Sequence, residues 1–227
     1  MKYIQELFIP WLFCQTKLKK VLRWSSYILY ENGKSARYNG IRRQNVAEHT
    51  ISKLLAFSMI LPLLKNIFKK NVDFDLLWSC IVCHDFGEGL RKSKYDIIAS
   101  NKKDCHDLEE YLLVEGLLNE SDLQNEEIRD NFEKAFLLQF VLTSYESFPA
   151  KAQEILKSMR QNKVEKNTAI LFQILEKWEY HFYAWENRKK HPTILEDVRT
   201  RNGLQVLQWI EKYPKKYHEP LKEIFLG

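Results

Sequence analysis

Apolar residues recur at helical spacing along most of the chain. In residues 11–30, Leu12, Leu18, Val21, Leu22, Ile28 and Leu29 alternate with Lys17, Lys19 and Lys20, which predicts an amphipathic helix. Residues 31–44 lose that rhythm: Gly33, Gly40, Lys34, Arg37, Arg42 and Arg43 read as a long basic loop. Asn45 then caps a helix from Val46 through Phe68, with Glu48 at the third following position as in a capping box and Pro62 ending or kinking it. The nearly continuous apolar run from Phe74 to Cys83 predicts a buried helix that delivers His84-Asp85 at its C-terminal end, stopped by Gly87 and Gly89. Helical spacing returns over 104–118, 126–145, 150–160 and 168–185, the last with Leu171, Ile174, Leu175, Trp178, Phe182 and Trp185 on its inward face. After Pro192 a helix over 194–213 and a final turn near 220–226 close the chain. There is no internal repeat.

Composition agrees with an all-α class. A chain of 227 residues, 45% apolar, supports one substantial core, and 13% aromatic residues with only 7 glycines exclude disorder and a turn-rich sandwich or barrel. The expected organisation is a single domain over 1–227. The net charge of +5 is mild; it permits an anionic substrate without requiring nucleic acid. Four cysteines are too few for a disulfide scaffold at this length, so reduced thiols and a cytoplasmic setting are expected. The apolar stretch Phe8–Phe13 is interrupted by Pro10 and lacks a cleavage site, and Leu54–Phe68 is interrupted by Pro62 and Lys65, so no membrane partner is expected.

Chemistry concentrates around Cys83-His84-Asp85-Phe86-Gly87-Glu88, which follows Asn45-Val46-Ala47-Glu48-His49. Imidazole together with carboxylate suits a borderline divalent ion such as Mn, Co, Fe, Ni or Zn. By itself a His-Asp dipeptide is more often a capped helix end. Cys80-Ile81-Val82-Cys83-His84 also matches the attachment sequence for c-type haem, but both thiols fall in an apolar helix and read as small buried hydrophobes.

The two segments Asn45-Val46-Ala47-Glu48-His49 and Cys83-His84-Asp85-Phe86-Gly87-Glu88 resemble the first two motifs of the HD superfamily of metal-dependent phosphohydrolases, and within it the bacterial 5′-deoxynucleotidases and related small HD-domain proteins. Glu176-Lys177-Trp178-Glu179 with Ala184 and Glu186 is similar to the family's late acidic helix, with Glu176 where the family has Asp. Leu22-Arg23-Trp24 resembles its Arg-Trp element, and Tyr95-Asp96-Ile97 its Gly-Asp-Ile. The resemblance covers roughly residues 18–187; residues 188–227 form a helical extension.

That resemblance implies an HD-domain helical bundle with one divalent transition-metal ion held in its core by His49, His84, Asp85 and Glu176. It further implies Arg23, Trp24, Arg42 and Arg43 on the substrate, Glu88 orienting or deprotonating the nucleophile, and Asp96 protonating the leaving group. The implied activity is phosphate release from a nucleoside monophosphate by a 5′-nucleotidase. A triphosphate, an alarmone, a cyclic nucleotide or single-stranded nucleic acid remains open as substrate, as does a non-catalytic nucleotide-binding regulator. A homodimer is compatible with either reading. His106 and His181 are candidates for a second ion, although isolated histidines on helices are usually surface or core residues.

Overall fold

The computed structural model describes residues 16–21, 29–31, 34–36, 44–91, 104–120, 123–189 and 192–227. The described chain is helical, with one short hairpin. β1 (Leu29–Glu31) and β2 (Lys34–Ala36) pair antiparallel, Tyr30 opposite Ser35. The helices are α1 (Val46–Phe68), α2 (Phe74–Cys83), α3 (Phe86–Leu90), α4 (Asp104–Glu120), α5 (Glu126–Leu137), α6 (Ala150–Gln161), α7 (Lys163–Asn187), α8 (Pro192–Ile210) and α9 (His218–Leu226).

The predicted helix over 11–30 is not continuous. Leu18–Lys20 form a single 3-10 turn, after which Val21 is extended (φ −89°, ψ 117°). Its carbonyl accepts from the Val46 amide at 3.0 Å, which draws it away from any helical partner. The basic loop expected from 31 begins inside the hairpin; 37–43 lie outside the described residues.

α1 starts and ends as its sequence predicts. The Asn45 side chain accepts from the Glu48 amide at 2.9 Å, and the Glu48 carboxylate accepts from the Asn45 amide at 3.1 Å. Two otherwise orphan donors are thereby satisfied. Pro62 neither ends nor interrupts the helix. Pro62 and Ser58 are both exposed, so the carbonyl deprived of its donor faces solvent. Val46–Asn71 is long and apolar enough, by length and composition alone, to cross a membrane; the core helix of a soluble protein passes the same test, and Ile51, Leu55, Met59 and Leu63 are exposed along it.

α2 is the central buried helix. Asp73 caps it by accepting from the Leu76 amide at 2.9 Å, while the Asp73 amide donates to Thr168 Oγ1 of α7 at 2.9 Å. Leu76, Leu77, Cys80 and Ile81 enter a core shared with Phe57, Leu64 and Phe68 of α1, Phe136 of α5 and Leu171, Ile174 and Leu175 of α7. Burying each such aliphatic side chain contributes about 1.5–3 kcal/mol before chain entropy is subtracted. α7 packs most extensively on α8, where Ala184, Leu195 and Val198 make a second small core with Tyr180 and Tyr183. Phe182 and Trp185 were expected to face inward, but they are about half exposed and stack on each other with centroids 5.9 Å apart. The α8 contact favours Ala184 over those rings at the buried positions.

Gly87 does not stop α2 either. The helix breaks at His84-Asp85 and resumes at once as α3, which contains Gly87. That glycine answers a close approach: a Cβ there would lie 2.8 Å from Glu110 Cγ and 2.9 Å from Glu110 Cβ. Glu110 is itself fixed by Arg91, 3.1 Å away and buried, so it has little room to yield. Gly87→Ala is expected to cost about 1–3 kcal/mol in urea denaturation through overpacking. An unchanged midpoint would mean that α3 and α4 slide apart freely.

Candidate metal centre

His49 enters the core from the first turn of α1. It is fully buried, with Nδ1 3.1 Å from Glu179 Oε1 of α7. On the opposite side of the ring Nε2 faces Asp85 Oδ2 at 3.7 Å. The His84 ring is fixed more firmly. Its Nδ1 lies 2.9 Å from the carbonyl oxygen of Ile81, which only accepts. Nδ1 therefore donates, and in the neutral ring Nε2 presents a lone pair. A second partner that holds Nδ1 and aims Nε2 is the usual support of a metal-ligating histidine.

Around His84 Nε2 stand two carboxylate oxygens, Asp85 Oδ2 at 3.2 Å and Glu176 Oε1 at 3.1 Å. Adjacent residues seldom converge from a regular helix. His84 and Asp85 do so because they occupy the break between α2 and α3, where Asp85 has φ −97° and ψ 10°. The ligand atoms of His49, His84 and Asp85 lie within 4.8 Å of one another, and among the described residues no other group of three His, Cys, Asp or Glu side chains does so. The surroundings are apolar. Phe172 of α7 meets the His84 ring edge-on with centroids 5.3 Å apart, and Cys80 and Phe86 are buried nearby in the chain.

The two imidazole nitrogens and the Asp85 carboxylate fit a borderline divalent ion by the chemistry of the donor set. Glu176 Oε1 reaches His84 Nε2 at 3.1 Å but falls outside the group of three. Glu179, one turn along α7 from Glu176, lies against the far side of the His49 ring. Glu88 is buried on α3, one turn beyond Asp85. Arg23, Trp24, Arg42, Arg43 and Asp96 lie outside the described residues. His181 Nδ1 donates to the carbonyl oxygen of Arg199 at 2.8 Å, which ties α7 to α8. His106 contributes its carbonyl to Arg91. Neither belongs to the His49, His84 and Asp85 group.

Lys53 escaped the sequence reading. It is 1% exposed, its ammonium is 3.0 Å from His84 Nε2, and it forms an ion pair with Glu176 Oε1. The signal was present: Lys53 falls on the inward stripe of α1 formed by Val46, Thr50, Phe57, Leu64 and Phe68. A lysine in such a stripe demands an anionic partner.

Cys80 and Cys83 are buried free thiols, and desolvation pushes the Cys80 thiol well above its ordinary value. Both are expected to resist alkylation at pH 8 in the folded chain and to label only in denaturant, as peptide mapping by mass spectrometry would read. Rapid native labelling of Cys80 would contradict this packing. Comparisons with family models, with curated proteins and with solved structures return no match for the chain.

Proposed function

We propose that this chain is an HD-type metal-dependent phosphohydrolase acting on nucleotides, most simply a 5′-nucleotidase that releases phosphate from (deoxy)nucleoside monophosphates. The observation that carries the reading is the convergence of His49, His84 and Asp85, from α1 and the α2–α3 break, with Glu176 of α7 3.1 Å from the His84 nitrogen and the His84 ring held by the Ile81 carbonyl. A bound divalent ion would supply positive charge for phosphate oxygens and an activated water at neutral pH.

The chain's own groups do the rest. The apolar wall of Phe172 and neighbouring core residues shields the donors from bulk water, which would strengthen their hold on a divalent cation. Glu88, buried one turn after Asp85, is assigned to holding or accepting the nucleophile's proton. Contacts from Arg23, Trp24, Arg42 and Arg43, and proton donation by Asp96, are proposed from the sequence resemblance.

A second reading is favoured by one feature, the Lys53 ammonium among the donors: a nucleotide-binding regulator that keeps the fold without turnover. A product screen separates the two. The purified chain would be incubated with Mn, Co, Ni or Zn and a panel of nucleoside mono-, di- and triphosphates, alarmones and cyclic nucleotides. Inorganic phosphate from monophosphates, abolished by a chelator, is the expected result. Release of pyrophosphate or triphosphate would move the substrate to another phosphorylated nucleotide, and binding without any product would favour the regulator.

A further inference from the structure

Lys53 raises a question that the four-ligand reading does not answer. An ammonium has only donors, and the Ile81 carbonyl commits the His84 proton to Nδ1, so the 3.0 Å contact between Lys53 Nζ and His84 Nε2 is a donation to the ring's lone pair. The same ammonium pairs with Glu176 Oε1, which lies only 3.1 Å from that ring nitrogen. Two acceptors this close repel one another unless positive charge lies against both. Here Lys53 supplies it, and Phe172 adds a ring face 5.7 Å from Nζ. The lone pair and the oxygen that Lys53 engages are two of the four donors assigned to the ion.

We propose that Lys53 is an internal competitor of the metal: its ammonium fills the corner between His84 Nε2 and Glu176 Oε1, and coordination by all four donors requires that it leave. The proposal rests on the metal reading above and goes beyond it, because it fixes how the site behaves without an ion. The lysine stabilises the metal-free fold by neutralising a buried carboxylate, and for the same reason lowers the affinity of the site for any cation. Its four-carbon stem is flexible enough to let the head group move while the backbone of α1 stays in place. The arrangement predicts that metal uptake is coupled to displacement of a side chain one helical turn from His49.

Lys53→Met keeps an unbranched side chain of comparable length, and Lys53→Gln provides a polar neutral alternative should the first variant fail to fold. Binding of Co²⁺ and Mn²⁺ would be measured by equilibrium dialysis with metal analysis, alongside thermal melting with and without ion. Both variants are expected to bind one ion per chain at least tenfold more tightly than the parent. They should melt lower than the parent when metal-free and gain more on adding the ion. If the parent binds one ion, His84→Ala abolishes it and both Lys53 variants keep the parent's affinity, Lys53 does not compete and the proposal is overturned while the metal reading stands. If neither the parent nor a folded Lys53 variant binds ion, the metal reading fails and the proposal with it.

Discussion

His84→Ala and Asp85→Ala are each expected to abolish metal binding and phosphate release together while leaving far-UV circular dichroism largely unchanged. His84 provides the nitrogen on which the site is centred, with Asp85 Oδ2 3.2 Å and Glu176 Oε1 3.1 Å away. Loss of that ring leaves His49 as the only imidazole of the group and removes the nitrogen that both carboxylates approach. Removal of Asp85 instead deletes the oxygen that faces both histidines, 3.7 Å from His49 Nε2. The helices should survive because both residues lie at the α2–α3 break, and the bonds they give the helix ends, His84 N–H to Cys80 O at 2.9 Å and Glu88 N–H to Asp85 O at 3.1 Å, are made by the backbone and are kept in an alanine variant. Full metal occupancy in both variants, measured by metal analysis after dialysis, would place the ion elsewhere.

Glu176→Ala is expected to destabilise the metal-free chain by about 3–5 kcal/mol, because it removes the carboxylate paired with the buried Lys53 ammonium. For a chain of this size, each kcal/mol shifts the melting temperature by about 2–4 °C, so the loss is easily read by calorimetry. The double variant Glu176→Ala with Lys53→Met should recover most of it, since no buried charge is then left without its partner. Glu176→Asp keeps the charge but retracts the carboxylate by one methylene. It should melt closer to the parent yet bind metal more weakly, because the oxygen no longer reaches His84 Nε2. Parental melting in Glu176→Ala would show that Lys53 finds water or another acid in its place.

The parts of the fold written in local chemistry were legible in the sequence. The start of α1 follows from Asn45 and Glu48, and the extent of α2 from its nearly continuous apolar run. That His49, His84 and Asp85 come together was expected from the resemblance of their two segments to known motifs, although their approach depends on a break that the sequence reading attributed to Gly87 and Gly89. What stayed hidden depends on contacts between distant helices. Gly87 is small because Glu110 of α4 lies against it. Phe182 and Trp185 turn outward because α8 takes the buried position at Ala184. Glu179 holds His49, and Lys53 meets Glu176, only because α1 and α7 cross at the site. Pro62 misled for a different reason: a proline on a helix's exposed side costs less than one in the core, and position alone did not disclose which side it occupied.

Visible absorption during titration of the intact, metal-stripped chain with Co²⁺ tests the central claim most directly, because the ligand-field bands report imidazole and carboxylate coordination independently of any turnover. The account predicts saturable bands at about one ion per chain, absent from His84→Ala and diminished in Glu176→Asp. Featureless titrations, or identical bands in the parent and His84→Ala, would contradict it.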